Sequence, residues 1–256
     1  MKKIGIVGGV GWRSTADYYA GICCRSERWH HARNLPGVPA TPEISIESLD
    51  LATAVSYLGT DGDEESWAQF DGYHRAALER LEASGADFAL IASNSPHHRF
   101  ASIVRGIGIP VINIFDEAAK QSARSGAHQV LILGTPLTMT SPGFRAAFAR
   151  YGAAAAGPAP EAARAMTAGL IHELQFGKVK GAAERLARIV KISLERQLKE
   201  EPVVCLACKE LPLAFGERKM LATFEYDGAL YLNTTAVHIN AAFEFAAGSA
   251  ATASSG

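Results

Sequence analysis

Two short sites, well separated along the chain, hold the residues best suited to moving a proton on carbon. The run ADFALIASNSPHH leaves an apolar segment at Ala86 to Ala92 and opens onto Ser93, Asn94 and His97. The run EPVVCLACKELPL leaves another at Val203 to Ala207 and opens onto Cys208, Lys209 and Glu210. Each reads as a buried strand that delivers polar atoms at its C-terminal end, the edge of an open α/β sheet where small ligands bind. A thiol, with a reference pKa of about 8.5, lies close enough to neutrality to exchange protons with carbon, and a helix N-terminus lowers it further. Cys208 falls where such a helix should begin. If the two strand ends face one another across a cleft, Ser93 and Cys208 approach a bound carbon from opposite sides, one face for proton removal and the other for delivery.

The opening GIVGGVGWRSTADYY has the order strand, glycine turn, helix of a ligand-binding βα unit. A dinucleotide fingerprint needs G-x-G-x-x-G, and the nearest register, Gly9 to Gly11, puts Ser14 at the third glycine, so no nucleotide cofactor is expected. The turn, capped by Ser14 or Thr15, instead suits a substrate carboxylate on the N–H groups of Gly9, Val10 and Gly11, beside Arg13. Asn94, Ser95 and Lys209 are further donors able to stabilise a carbanion without a cofactor. Cys205 lies within the apolar strand and reads as core, as do Cys23 and Cys24 in the first helix. Cys205, Cys208, His97 and His98 make a zinc site only on paper, because a second close pair is missing, and no metal is expected. A redox dithiol would need both cysteines at a helix start.

These residues must be positioned by apolar runs at Ile4 to Val7, Glu43 to Ile46, Phe88 to Ile91, Val111 to Ile114, Val130 to Leu133 and Val203 to Leu206. Helical patterns separate most of them, including one over Asp71 to Ala83 and a long one from Glu161 to about 199, interrupted at Phe176-Gly177-Lys178. The alternation predicts an α/β protein of two similar lobes, each a mostly parallel sheet flanked by helices. The lobes are placed at about 1–100 and 101–212, with 213–245 returning to the first lobe and 246–256 a frayed tail. Gly152 to Pro160 reads as a loop, and Asn233-Thr234-Thr235 as a short strand or loop feeding a helix. The balance of 25 basic and 26 acidic residues gives a net charge of −1, which argues for a small-molecule ligand over nucleic acid. Four cysteines without a scaffold spacing and an N-terminus without an apolar signal core predict a cytoplasmic, soluble protein with no membrane partner.

GIVGGVGWRSTADYY, IASNSPHH, GTPLTMTSPGF, FGKVK, CLACKELPL and NTTAVHINAA, in that order, resemble the aspartate/glutamate racemase family, which works without pyridoxal phosphate. The resemblance implies a pseudo-symmetric, often dimeric pair of α/β lobes with the active site in the cleft between them. One thiol from each lobe would act as alternate base and acid, with no cofactor. The family's Cys-Asn-Thr and Gly-Cys-Thr-Glu correspond here to Ser93-Asn94-Ser95 and Ala207-Cys208-Lys209-Glu210. Ser93 is a far weaker base than a thiolate unless a neighbour such as His97 assists it. Lys209, beside Cys208, is placed to lower the thiol pKa. The resemblance further implies a distal-carboxylate contact at Lys178, cleft-lining roles for Thr135 and Thr138, and an approach of His238 from the C-terminal segment. Arg13 replaces a glutamate of near relatives and Asn233 an aspartate.

The expected activity is racemisation or epimerisation of a small carboxylate-bearing amino acid, aspartate- or glutamate-like. Two alternatives stand beside it: a decarboxylase or related lyase with Cys208 as the sole proton donor, and a non-catalytic small-ligand-binding protein.

Overall fold

The computed structural model describes residues 1–194 and 202–248. It divides into two units, Met1–Asn113 with the chain from His238, and Ile114–Val237. In the first unit β1 (Ile4–Gly8), α1 (Trp12–Ala32), β2 (Ile44–Ser48), α2 (Leu51–Ser56), α3 (Ala68–Ala83), β3 (Phe88–Ile91), α4 (Phe100–Ile103) and β4 (Val111–Ile112) follow in order. The sheet runs β2-β1-β3-β4 and is parallel throughout. Both β1 and β3 are buried at every position, as inner parallel strands covered by helices must be. Tyr18 and Ile22 of α1, with Ile239, Ala242 and Ala246 of the last helix, pack on Ile4, Ile6, Phe88 and Leu90.

The second unit contains α5 (Ile114–Arg124), β5 (Gln129–Gly134), α6 (Pro136–Thr140), α7 (Pro142–Arg150), β6 (Ala154–Ala156), α8 (Glu161–Gln175), α9 (Ala182–Leu194), β7 (Val203–Ala207), β8 (Thr223–Tyr226) and β9 (Ala229–Asn233). Its sheet order is β6-β5-β7-β9-β8, parallel except for the β8–β9 hairpin. Alternate residues of β5 serve two cores, as the two-residue period of a strand requires. Val130 and Ile132 meet Phe115 of α5 and Phe144 and Phe148 of α7. Leu131 and Leu133 meet Leu170, Leu174, Leu186 and Ile189 of α8 and α9. The first three strands of each unit share one order, with β3 and β7 at corresponding inner places.

Several elements differ from the sequence reading. Ala154–Ala156, within the stretch read as a loop, pairs with β5 as an edge strand, and a run of alanines carries no alternation to announce it. The β8–β9 hairpin turns on Asp227 and Gly228 at φ 48° and 78°, the Asp-Gly signature of a tight hairpin, which the apolar pattern alone does not bring out. Ile114 opens α5 instead of closing β4, and Asn233 ends β9 while Thr234 starts α10 (Thr234–Ala246).

The unit boundaries fall at 113 and 237 where the sequence reading put 100 and 212. Strand β4 pairs with β3 and so extends the first unit, and the hairpin joins β7 and so extends the second. Only from His238 does the chain count with the first unit again. Ala246, assigned to the tail from sequence, is buried in α10 and accepts a hydrogen bond from the Lys2 amide at 2.9 Å. Tail residues from 249 on, and the end of the long helical stretch at 195–199, lie outside the described residues.

The turn after β1 is fixed by Gly9, at φ 82°, where a Cβ would run into the backbone of Leu49. The Leu49 amide is held on the Gly8 carbonyl at 3.0 Å, so that backbone cannot retreat without breaking a sheet-edge bond. Left-handed backbone alone costs a side-chain-bearing residue about 1–2 kcal/mol. Gly9→Ala is therefore expected to lower the unfolding free energy by at least about 2 kcal/mol. A urea midpoint equal to that of the wild type would contradict this account of the turn.

Candidate active site

In the first unit the site is built where β1 and β3 end. Ser14, on the first turn of α1, is 1% exposed, and its hydroxyl donates to the Ala92 carbonyl at 2.9 Å. Ala92 itself donates to Val7 of β1, so the residue before Ser93 is tied on both its polar backbone atoms. Ser93 is half-buried and its amide donates to the Ile91 carbonyl at 2.8 Å, which turns the chain sharply out of the strand. Asn94 is buried and precedes a short 3-10 segment over Ser95–Arg99. That segment is pinned to the helix before it by Arg99, whose guanidinium forks onto Asp71 of α3 and onto Glu64.

His97 does not assist the Ser93 hydroxyl in the way its spacing suggests. Its Nδ1 lies 2.8 Å from the Ser93 carbonyl, which can only accept, so Nδ1 carries the proton and donates to the main chain. Burial, then the nearby His238, pushes the His97 pKa down to about 3. His238 is fully buried; its Nε2 donates to the Ile112 carbonyl at 3.1 Å, which leaves Nδ1 to accept from the Tyr18 hydroxyl at 2.7 Å. Burial pushes its pKa down to about 4. Both rings are thus neutral, and they are placed edge to face at 5.8 Å. Thr15 holds the turn, whereas Ser14, the other cap candidate, bonds Ala92 instead; Tyr18, one helical turn on along the buried face of α1, is unassigned from sequence, and the i, i+4 spacing of these polar groups among apolar neighbours is its signal.

The glycine turn is less open to an anion than its sequence suggests. The Gly9 amide donates to Thr15 Oγ1 at 2.9 Å and the Gly11 amide to the Gly9 carbonyl at 2.6 Å, so two of its N–H groups are spent inside the turn. Arg13 is exposed, with its guanidinium 4.7 Å from the centre of the exposed Trp12 ring.

In the second unit the corresponding strand end carries Cys208. No α-helix begins there: the chain bends at Cys208 and enters a 3-10 segment at Leu211–Met220. The thiol is 7% exposed and donates to Glu210 Oε2 at 2.9 Å. Burial, and after it the Glu210 carboxylate, hold the Cys208 pKa well above its ordinary value, the reverse of the lowering expected from a helix start. Lys209 works in the expected direction but more weakly; its ammonium lies 3.4 Å from Glu210 Oε1 and pairs with that carboxylate. Cys205 packs in the core beside α5 and α7 while Cys208 belongs to the core on the other face of the sheet, so the two do not form a dithiol.

Thr135 caps α6 through Thr138, whose hydroxyl lies 3.0 Å from that of Thr135 and whose side chain is buried, so only Thr135 keeps partial exposure. Lys178 is exposed in the loop between α8 and α9. Asn233 caps α10, its Oδ1 accepting from the amides of Thr235 and Ala236, and its Nδ2 donates to the Lys219 carbonyl. The Thr234 hydroxyl is fully buried and donates to the Leu206 carbonyl at 3.0 Å.

Fold and sites together define a two-unit α/β protein in which each parallel sheet presents a hydroxyl or a thiol beyond the C-terminal end of an inner strand. The chain belongs to the Asp/Glu/hydantoin racemase family, which it matches over residues 7–242. It is 26% identical over 138 residues to the broad specificity amino-acid racemase RacX of Bacillus subtilis, an alignment covering 54% of this chain and 56% of the relative. The chain thus spans little more than half the length of that curated relative. Among solved structures, an aspartate racemase homologue from Pyrococcus horikoshii is 26% identical with a TM-score of 0.74, covering 96% of this chain and 100% of its own. The fold is also that of a putative Asp/Glu racemase from Yersinia pestis, at 22% identity and a TM-score of 0.77, with coverage of 96% and 100%.

The buried histidines predict an acid-labile first unit. Unfolded, each takes up a proton below about pH 6.5; folded, His238 does so only near pH 4 and His97 near pH 3. The unfolded chain therefore holds more protons between these values, and stability falls as the pH drops from about 6.5 toward 4, by on the order of 3 kcal/mol for His238 alone. Thermal melts from pH 7 to 4 are expected to show this decline, with a shallower slope in a folded His238→Gln variant. An equal slope in the two proteins would remove His238 from the account.

Proposed function

We propose that this protein is a cofactor-independent racemase or epimerase of a small carboxylate-bearing amino acid, aspartate- or glutamate-like, with Ser93 and Cys208 as its two proton-transfer residues. The observation that carries this reading is the Cys208–Glu210 pair beyond β7, in a chain of the racemase family. Racemisation removes the α-proton on one face and returns one on the other. A thiol held protonated by burial and by Glu210 is ready to deliver a proton. For the reverse direction it must first become a thiolate, and the carboxylate that already accepts its hydrogen bond is the immediate destination for that proton. Ser93 offers only a hydroxyl, and His97 donates to the Ser93 carbonyl, so the two directions are expected to differ in rate although the equilibrium between enantiomers stays at unity.

Asn94, Ser95, Lys209 and the turn from Gly9 to Arg13 are proposed as donors to the substrate, with Lys178 and Thr135 beside them. The protonated state of Cys208 also favours a second reading, a decarboxylase or related lyase in which the thiol delivers the only proton.

Incubation in deuterated water with L and D amino acids distinguishes the readings. Deuterium at Cα with inversion supports racemisation, loss of carbon dioxide from a malonate-like acid supports the lyase, and binding without turnover supports neither chemistry. Cys208→Ala is expected to abolish turnover in a folded protein; retained turnover would remove Cys208 from the mechanism. In Glu210→Gln, alkylation of Cys208 is expected to begin at lower pH while turnover falls. An unshifted alkylation profile would show that the carboxylate does not hold the thiol proton.

A further inference from the structure

In both units a buried hydroxyl from the first turn of a neighbouring helix seizes a carbonyl at the end of the strand that leads to the proposed proton carrier. Ser14 of α1, following β1, donates to Ala92, one residue before Ser93. Thr234 of α10, following β9, donates to Leu206, two residues before Cys208. Ser14 and Thr234 are 1% and 0% exposed. They are not topological counterparts, because β1 and β9 flank β3 and β7 from different sides of the shared strand order. Two unrelated side chains thus meet one need. Ala92 lies just past the end of β3 and Leu206 is the penultimate residue of β7, so each bond ties down backbone within two residues of a proposed proton-transfer group, where added freedom would misplace it.

From this we infer that Ser14 and Thr234 are positioning residues, Ser14 for Ser93 and Thr234 for Cys208, each setting one face of the reaction. The inference rests on the racemase reading for its catalytic consequence and on the hydrogen bonds alone for its structural one. Removing one hydroxyl should loosen one proton carrier and leave the other in register. Loss of general stability would slow both faces together; loss of position should slow one.

The test uses the full chain with Ser14→Ala and Thr234→Val, followed in deuterated water with L- and D-aspartate and L- and D-glutamate. Each variant is expected to lose about tenfold or more in Cα exchange from one enantiomer, the opposite one in the two variants, with KM changed little. Ser14→Thr and Thr234→Ser, which keep the hydroxyl, are expected to restore most of the loss. If either truncation does not fold, Ser14→Cys or Thr234→Cys, which keep a weak donor of similar size, replaces it in the same comparison. Equal slowing of both enantiomers, or unchanged exchange in folded variants, would overturn the inference. Amide hydrogen exchange separates its failure from that of the racemase reading. It is expected to quicken over 92–95 only in Ser14→Ala and over 206–210 only in Thr234→Val. If the wild type exchanges no Cα proton, the racemase reading falls and the anchoring is judged on these amides alone, with no local change overturning it.

Discussion

The backbone at the end of a strand buried between two others must be tied down, because the ladder that held the rest of it is running out. Here that constraint shapes everything around the two sites. It puts Ser14 and Thr234, residues of little helix preference, at the starts of α1 and α10 with their hydroxyls donating to Ala92 and Leu206. It draws α1 onto the sheet far enough that Tyr18, one turn on, reaches His238. It also demands the glycine turn, since α1 can begin so near the end of β1 only if the chain reverses at Gly9, pressed against Leu49.

Electrostatics then divides the labour between the strand ends. The first unit sets a neutral His97 on the Ser93 carbonyl and a neutral His238 behind it, the charge of both suppressed by burial. In the second, a carboxylate is sequestered next to a thiol and its charge is only partly balanced by Lys209. An ionised cysteine beside Glu210 would put two negative charges into one low-dielectric place, and the proton is retained to avoid that. Hydrogen-bonded backbone surrounds the hydroxyl, and a raised proton affinity marks the thiol.

Much of the architecture is legible in the sequence because buried parallel strands write themselves as short apolar runs: Phe88–Ile91 and Val203–Ala207 are plain. So is the polar residue that follows each. What the sequence reading missed depends on three-dimensional partners. The alanines of β6 become a strand only because β5 offers them an edge. Cys208 was expected to be acidified by a helix that the chain does not form; Glu210, two residues on, swings its carboxylate back to the thiol and reverses the sign. His97 has the spacing of a helper for Ser93, yet a ring nitrogen four residues along a 3-10 path meets the carbonyl before the hydroxyl. The Ser14 to Ala92 bond joins residues 78 apart, beyond any local pattern.

The first unit is made from two stretches of chain, Met1–Asn113 and the residues from His238, whereas the second is continuous. The later stretch supplies His238 to Tyr18 and Ile112, and Ile239, Ala242 and Ala246 to the core over β1 and β3. A ribosome delivers these parts in the opposite order to their need. The N-terminal strands emerge first, but the core over β1 and β3, which α1 covers in part, is completed only when α10 has been synthesised, while Ile114–Val237 is a continuous stretch. Vectorial synthesis thus supplies the last side chains of the N-terminal core only after the second unit has been made.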